Sequence, residues 1–132
     1  MSKVVSWALV AAAIGGGYFW LSNAERNPPV IADVAVPEFS ALAARGEVVF
    51  QDTCVACHGA NLAGTENGPP LVVKAYRTAM HSDYAIGAAI NNGVVAHHWR
   101  FGNMPPQDNI APEDIEPVIA YIREMQVANG IE

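Results

Sequence analysis

Two hydrophobic patterns divide the chain. Near the N-terminus, residues 4–21 form an apolar stretch without a charged side chain. As an α-helix this stretch spans about 27 Å, close to the bilayer hydrocarbon thickness of about 30 Å. We therefore predict that residues 1–21 form an uncleaved N-terminal membrane anchor with one transmembrane helix. Lys3 precedes the stretch, which favours a cytoplasmic N-terminus and an exported remainder.

A cleaved signal peptide is the alternative for the same segment, because Lys3, the apolar run and residues 22–24 fit its outline. The run exceeds the usual apolar core of about 7–15 residues, and three aromatic residues crowd the cleavage region. A retained anchor is therefore favoured. Both interpretations export the residues that follow.

Residues 22–39 are interpreted as a linker, since they contain three prolines, mixed charges and no regular apolar repeat. A free coil of this length spans about 25 Å, so an attached domain would sweep a limited area of membrane surface. If the apolar residues of the segment instead pack on a partner, the position of the domain is fixed. The sequence leaves both possibilities open.

From residue 40 onward the apolar positions recur with the period of a helix. We predict a helix over residues 40–52 with Ser40 as N-cap, and another over residues 82–92. A short helix within residues 71–79 is also possible. No strand pattern is evident, so residues 40–132 are predicted to form one all-α domain.

The last predicted helix follows Pro112, which suits a first helical turn, and ends near Gly130. Pro117 is unfavourable inside a helix, so we expect a kink or a later start there. Gly46 costs the first helix about 1 kcal/mol relative to alanine. Close crossing by the last helix is the expected compensation.

The acidic composition narrows the range of partners. The whole chain has a formal charge of −6, and from residue 40 onward ten acidic side chains outnumber five basic ones. Nucleic acid is therefore not expected as a partner. Three basic residues of the central third leave room for a locally positive rim: Lys74, Arg77 and Arg100.

Cys54, Cys57 and His58 form a C-x-x-C-H motif, the attachment signature of c-type haem. Two residues between the thiols allow one short turn to present both sulfurs to the two vinyl groups of one porphyrin. The adjacent imidazole then binds the iron from one side. A zinc site would lack a second cysteine pair, and a redox dithiol would need a preceding strand where the pattern indicates a helix.

Met104 is the candidate for the opposite side of the iron. It is flanked by Gly102 and two prolines, which predict a stiff, non-helical loop. A thioether favours reduced iron, so a His/Met pair suits electron transfer. Competing ligands are Met80, His97 and His98, and the alternative for Met104 is a packed loop residue.

Residues 40–130 resemble a class I cytochrome c domain, and the features that carry the resemblance occur in the family's order. They are the Gly46…Phe50 spacing before the haem motif, the motif itself, Gly68-Pro69-Pro70-Leu71, Asn103-Met104-Pro105 and Tyr121 on the last helix. The resemblance implies a small all-α fold around one covalently bound haem c. It also implies that the protein is not an enzyme but an electron-transfer protein without a small-molecule substrate.

The resemblance assigns further residues to the haem site. It implies that the Pro69 carbonyl accepts the second ring N–H of His58, with Leu71 in support. Such a bond orients the ring and raises its basicity. Trp99 and Arg100 are candidates for the haem propionates, by indole N–H and guanidinium. The alternatives are core packing for Trp99 and a solvated charge for Arg100.

We therefore expect a carrier on the periplasmic side of a bacterial cytoplasmic membrane, tethered by one helix. Its redox partners would be a quinol–cytochrome c reductase and a terminal oxidase or photosynthetic reaction centre. The alternative is a fixed cytochrome subunit of a larger membrane oxidoreductase of the respiratory chain. A third hypothesis, a ligand-binding haem, requires an open distal site and is disfavoured by the lack of a catalytic acid/base pair.

Overall fold

The computed structural model describes residues 27–31 and 33–132. Four α-helices lie in this part of the chain: α1 (Ala41–Thr53), α2 (Val55–His58), α3 (Asp83–Asn92) and α4 (Pro112–Ala128). Short 3₁₀ helices span Ala60–Leu62 and Lys74–Tyr76. The described residues contain no strand, only an isolated antiparallel bridge between Val94 and Met104. The predicted all-α class is therefore confirmed for this part of the protein.

The predicted anchor, residues 1–21, lies outside the described residues and stays a prediction. Among the residues that the structure does describe, no helix is both long enough and apolar enough to cross a membrane.

α1 begins after the predicted N-cap Ser40, and α3 begins after Ser82, a cap that was not predicted from the sequence. The Ser40 hydroxyl accepts the Ala43 N–H at the start of α1, and the Ser82 hydroxyl accepts the Ala85 N–H at the start of α3. Each bond satisfies a backbone donor that a helix N-terminus leaves without an intrahelical partner. α4 begins at Pro112, so the alternative of a later start at Pro117 is wrong.

Helices α1 and α4 cross closely at Gly46, as predicted. A Cβ atom at Gly46 would overlap the carbonyl oxygen of Pro117, so only glycine permits this approach. Pro117 lies inside α4 and is fully buried at the same crossing. The glycine thus gives up helix propensity and allows the two longest described helices to pack backbone to backbone.

Aromatic rings fill the core beside this crossing. Tyr121 lies with its ring centroid 5.2 Å from Phe39 and 5.3 Å from Phe50, distances typical of favourable aromatic pairs. Burial, and then the Glu47 carboxylate, raise the pKa of Tyr121 to about 12. The phenol is therefore neutral at physiological pH and contributes to the core as a large apolar ring.

Much of the segment preceding α1 lies along the helical domain. The Ile31 N–H donates to the Ala63 carbonyl at 2.9 Å. The Asn129 side chain binds both backbone groups of Ala35, at 2.9 and 2.8 Å. These contacts hold part of the predicted linker against the domain, so the part that can act as a free tether is shorter than residues 22–39.

Gly46→Ala is expected to lower the free energy of unfolding of the haem-loaded protein by about 1–3 kcal/mol, the usual range for overpacking. The obstacle is a backbone oxygen, which cannot rotate away. Gly87→Ala is the matched control, since its Cβ would lie 3.5 Å from Ile115 Cγ2, an ordinary contact. Alanine there gains up to about 1 kcal/mol of helix propensity. Guanidinium unfolding followed by circular dichroism tests this, and equal midpoints would contradict it.

Candidate haem-binding site

The C-x-x-C-H motif occupies a single helical turn. Cys54 follows the last residue of α1 and precedes the first of α2, and the His58 N–H donates to its carbonyl at 2.9 Å. Gly59 ends the turn with φ of +75°. Cys54 is half-buried and Cys57 is exposed. Because α2 continues directly from α1, the α1–α4 crossing determines where the motif lies.

A compact loop returns Pro69 to His58. The Pro69 carbonyl oxygen lies 2.9 Å from His58 Nδ1, the contact that the family resemblance implies. Gly68 makes this approach possible, since a Cβ there would lie 2.8 Å from the Cys57 carbonyl oxygen. The Thr65 hydroxyl donates to the same Cys57 oxygen at 2.6 Å and fastens the loop to the motif.

This environment favours a neutral His58 ring. Burial lowers the pKa of His58, and the bond to Pro69 offsets part of that effect. Since a carbonyl oxygen only accepts, Nδ1 carries the proton and Nε2 keeps a free lone pair. A neutral imidazole that donates one ring N–H to a backbone carbonyl and keeps the other nitrogen free is a typical metal ligand.

The Met104 loop is held by backbone pairing as well as by its prolines. Val94 and Met104 exchange two backbone hydrogen bonds, of 2.9 and 3.0 Å. The Asn103 side-chain oxygen accepts the Ala96 N–H at 3.0 Å across the same loop. Gly93, with φ of +70°, lets the two segments approach, because a Cβ there would meet the Met104 carbonyl.

These segments enclose a largely apolar cavity of about 360 Å³. Six of the predicted site residues line it: Cys54, His58, Pro69, Leu71, Trp99 and Met104. Its other walls come mainly from α3, α4 and the 94–102 segment. A largely apolar cavity lined by the buried His58 imidazole and the Met104 thioether fits a haem. Cys54 and Cys57 would hold the group covalently, and His58 and Met104 would ligate its iron; bound haem supplies a one-electron ferric/ferrous couple.

The two propionate candidates are placed differently. The Trp99 indole N–H donates to the Tyr76 hydroxyl at 3.0 Å, beside the cavity. Arg100 is exposed and does not line the cavity, and its backbone N–H donates to the Asn27 side-chain oxygen at 2.7 Å. Its position therefore favours the solvated-charge alternative, while Trp99 is positioned both to pack and to face the group.

The structure also distinguishes among the candidates for the distal iron ligand. Met80 is 56% exposed and does not line the cavity, so its position does not support ligation. His97 and His98 do line it, yet both side chains are exposed. Met104 lines the cavity and lies in a loop that hydrogen bonds to Val94 and Ala96 hold in place, so it is the favoured distal ligand.

Gln126 was not recognised as a site residue from the sequence. Its side chain is 1% exposed, and Nε2 donates to the Leu71 and Tyr76 carbonyls at 2.9 and 3.2 Å. Arg123 donates to its Oε1 at 2.6 Å and to Asp83 at 2.7 Å. This buried network ties α4 to the segment that forms one cavity wall. A glutamine on the apolar stripe of the last helix is the only sequence signal for it.

Comparison with known proteins identifies the family. Residues 43–126 match the family model described as cytochrome c. The chain belongs to the cytochrome c family. The c-type cytochrome predicted from the sequence is thereby confirmed, with the helical cytochrome c fold, haem and electron transport that membership carries.

Curated relatives carry a more specific description. The cytochrome bc1 complex cytochrome c subunit of Mycobacterium leprae is 42% identical over 65 residues, which cover 48% of this chain and 21% of that protein. The corresponding subunit of Mycobacterium tuberculosis is 42% identical over 65 residues and 22% of its length. The match thus spans about a fifth of these relatives.

Replacing either motif cysteine should sharply reduce the yield of haem-loaded protein. Cys54→Ala or Cys57→Ala leaves at most one thioether, and a domain of this size depends on the haem to complete its core. Ala56→Ser, between the two thiols, is the control and should retain normal attachment. Haem staining after denaturing electrophoresis and the pyridine haemochrome spectrum measure the result. Normal yield and spectrum from both cysteine variants would contradict the assignment.

Proposed function

We propose that this cytochrome passes single electrons through one haem whose iron is ligated by His58 and Met104. The observation that carries the proposal is that both side chains line the same apolar cavity beside Cys54. A soft thioether stabilises ferrous iron and raises the reduction potential, which suits transfer rather than ligand binding. An occupied distal position also argues against a sensor or peroxidase.

We further propose that the protein works as a fixed electron-transfer subunit of a larger membrane oxidoreductase. Two observations support this over a mobile carrier. The relatives at 42% identity are subunits of a cytochrome bc1 complex. Contacts of Ile31 and Ala35 with the domain also shorten any free tether. A tethered carrier between a quinol–cytochrome c reductase and a terminal oxidase or photosynthetic reaction centre is the second candidate.

The proposed location is the periplasmic face of a bacterial cytoplasmic membrane, reached through one N-terminal transmembrane helix. Support comes from the uncharged stretch 4–21 and from Lys3 before it. A subunit held in this way needs little long-range attraction to its redox partners, since tethering raises the effective concentration. The acidic surface of the domain is compatible with such short-range docking.

Met104→Ala should remove the distal ligand. The expected results are loss of the weak near-infrared sulfur-to-iron charge-transfer band in the ferric protein, a lower midpoint potential, and carbon monoxide binding by the reduced protein. Met80→Ala is the control, since that side chain is exposed and away from the cavity. His97→Ala and His98→Ala should also leave the three properties almost unchanged. A histidine variant that alone reproduces the loss would instead indicate a bis-histidine haem.

Gentle detergent extraction should separate the two modes of attachment to the respiratory chain. Membranes from the native source are first washed with high salt, which should leave the cytochrome bound. After solubilisation, a fixed subunit should co-purify with other subunits at constant stoichiometry through native electrophoresis and gel filtration. Purification as a single polypeptide would support the tethered carrier instead. Release by salt, or a mature N-terminus at Glu25, would contradict the retained anchor.

A further inference from the structure

Three of the four histidines of the chain form a cluster that lines the haem cavity but supplies neither of the proposed iron ligands. His81 precedes α3, and His97 and His98 lie in the segment that leads to Met104. Each offers a ring nitrogen, and the three nitrogens lie within 4.8 Å of one another. The ring centroids of His97 and His98 are 4.3 Å apart, and those of His81 and His98 are 5.3 Å apart.

Two of these rings are oriented by backbone carbonyls. His81 Nδ1–H donates to the Ala75 carbonyl at 2.7 Å, and His97 Nδ1–H donates to the Val95 carbonyl at 2.8 Å. Because a carbonyl oxygen only accepts, these bonds place the proton on Nδ1 and leave the lone pair on Nε2. Metal-binding histidines usually have their second nitrogen fixed in this manner.

The surroundings allow the cluster to close around an ion. His81 is half-buried and packs on Tyr76, with ring centroids 5.1 Å apart, while its backbone carbonyl accepts from Arg123. His98 is exposed, so its side chain can rotate towards the other two rings, which their carbonyl bonds hold in place. A tetrahedral zinc site with bonds of about 2.1 Å separates its nitrogens by roughly 3.4 Å, which small rotations from the observed spacing supply.

We propose that His81, His97 and His98 form a binding site for a divalent transition metal, with Zn²⁺ as the type ion and water as the fourth ligand. Three imidazole ligands select borderline ions such as Zn²⁺ and Cu²⁺ over Mg²⁺ and Ca²⁺, which prefer oxygen ligands. The three histidines line the same cavity as His58 and Met104 but are different residues from these proposed iron ligands. The proposal does not depend on the identity of the redox partner.

Isothermal titration of the haem-loaded full chain in detergent with Zn²⁺, in a non-coordinating buffer, tests the proposal. One Zn²⁺ should bind per chain, and Mg²⁺ at the same concentration should not compete. His98→Ala and, separately, His97→Ala should each weaken binding at least tenfold. Both side chains are exposed, and the visible haem spectrum and circular dichroism report whether each variant retains the native fold.

Val95→Ala is the matched control. Its side chain is exposed in the same loop, and the substitution keeps the carbonyl that orients His97. Binding by this control should equal that of the unmodified chain, and Zn²⁺ should leave the haem spectrum unchanged. Absence of stoichiometric binding, equal affinity in the histidine variants, or displacement of a haem ligand by Zn²⁺ would each overturn the proposal.

Discussion

The close crossing of α1 and α4 is the contact on which the rest of the domain depends. Gly46 removes the side chain that would keep the helices apart, and the Pro117 backbone occupies the space. Helix α2, which contains Cys57 and His58 of the haem motif, continues directly from α1, so the crossing also determines the position of the motif. Substitution of one small residue therefore affects the stability of the core and the location of the haem-binding thiols together.

The candidate haem site is built on this frame from separate segments, each held by backbone hydrogen bonds. Pro69 reaches His58 through a loop that needs Gly68 at its closest approach. Met104 exchanges two backbone hydrogen bonds with Val94, and both residues follow α3 in the sequence. These bonds orient the His58 ring and hold the Met104 loop in position.

The buried network around Gln126 links the end of α4 to the cavity wall. Its amide donates to the Leu71 and Tyr76 carbonyls, and Arg123 donates to the Gln126 side-chain oxygen and to the same Tyr76 carbonyl. An unsatisfied buried carbonyl costs on the order of 1–3 kcal/mol, so the network stabilises the wall as well as shaping it. Together with the contacts of residues 27–39, it joins the end of α4, the cavity wall and the segment before α1 into one packed domain.

The sequence alone determined the helical class, the Ser40 cap and the chemistry at Cys54, Cys57 and His58, because these depend on local spacing and residue type. It also indicated the crossing at Gly46, since a glycine inside a helix requires a compensating contact. The tertiary structure decided what depends on distant segments meeting: the Gln126 network, the packing of residues 27–39, the position of Arg100 outside the cavity, and the grouping of His81 with His97 and His98. No local pattern encodes such pairs, because the residues come together only when the helices between them pack.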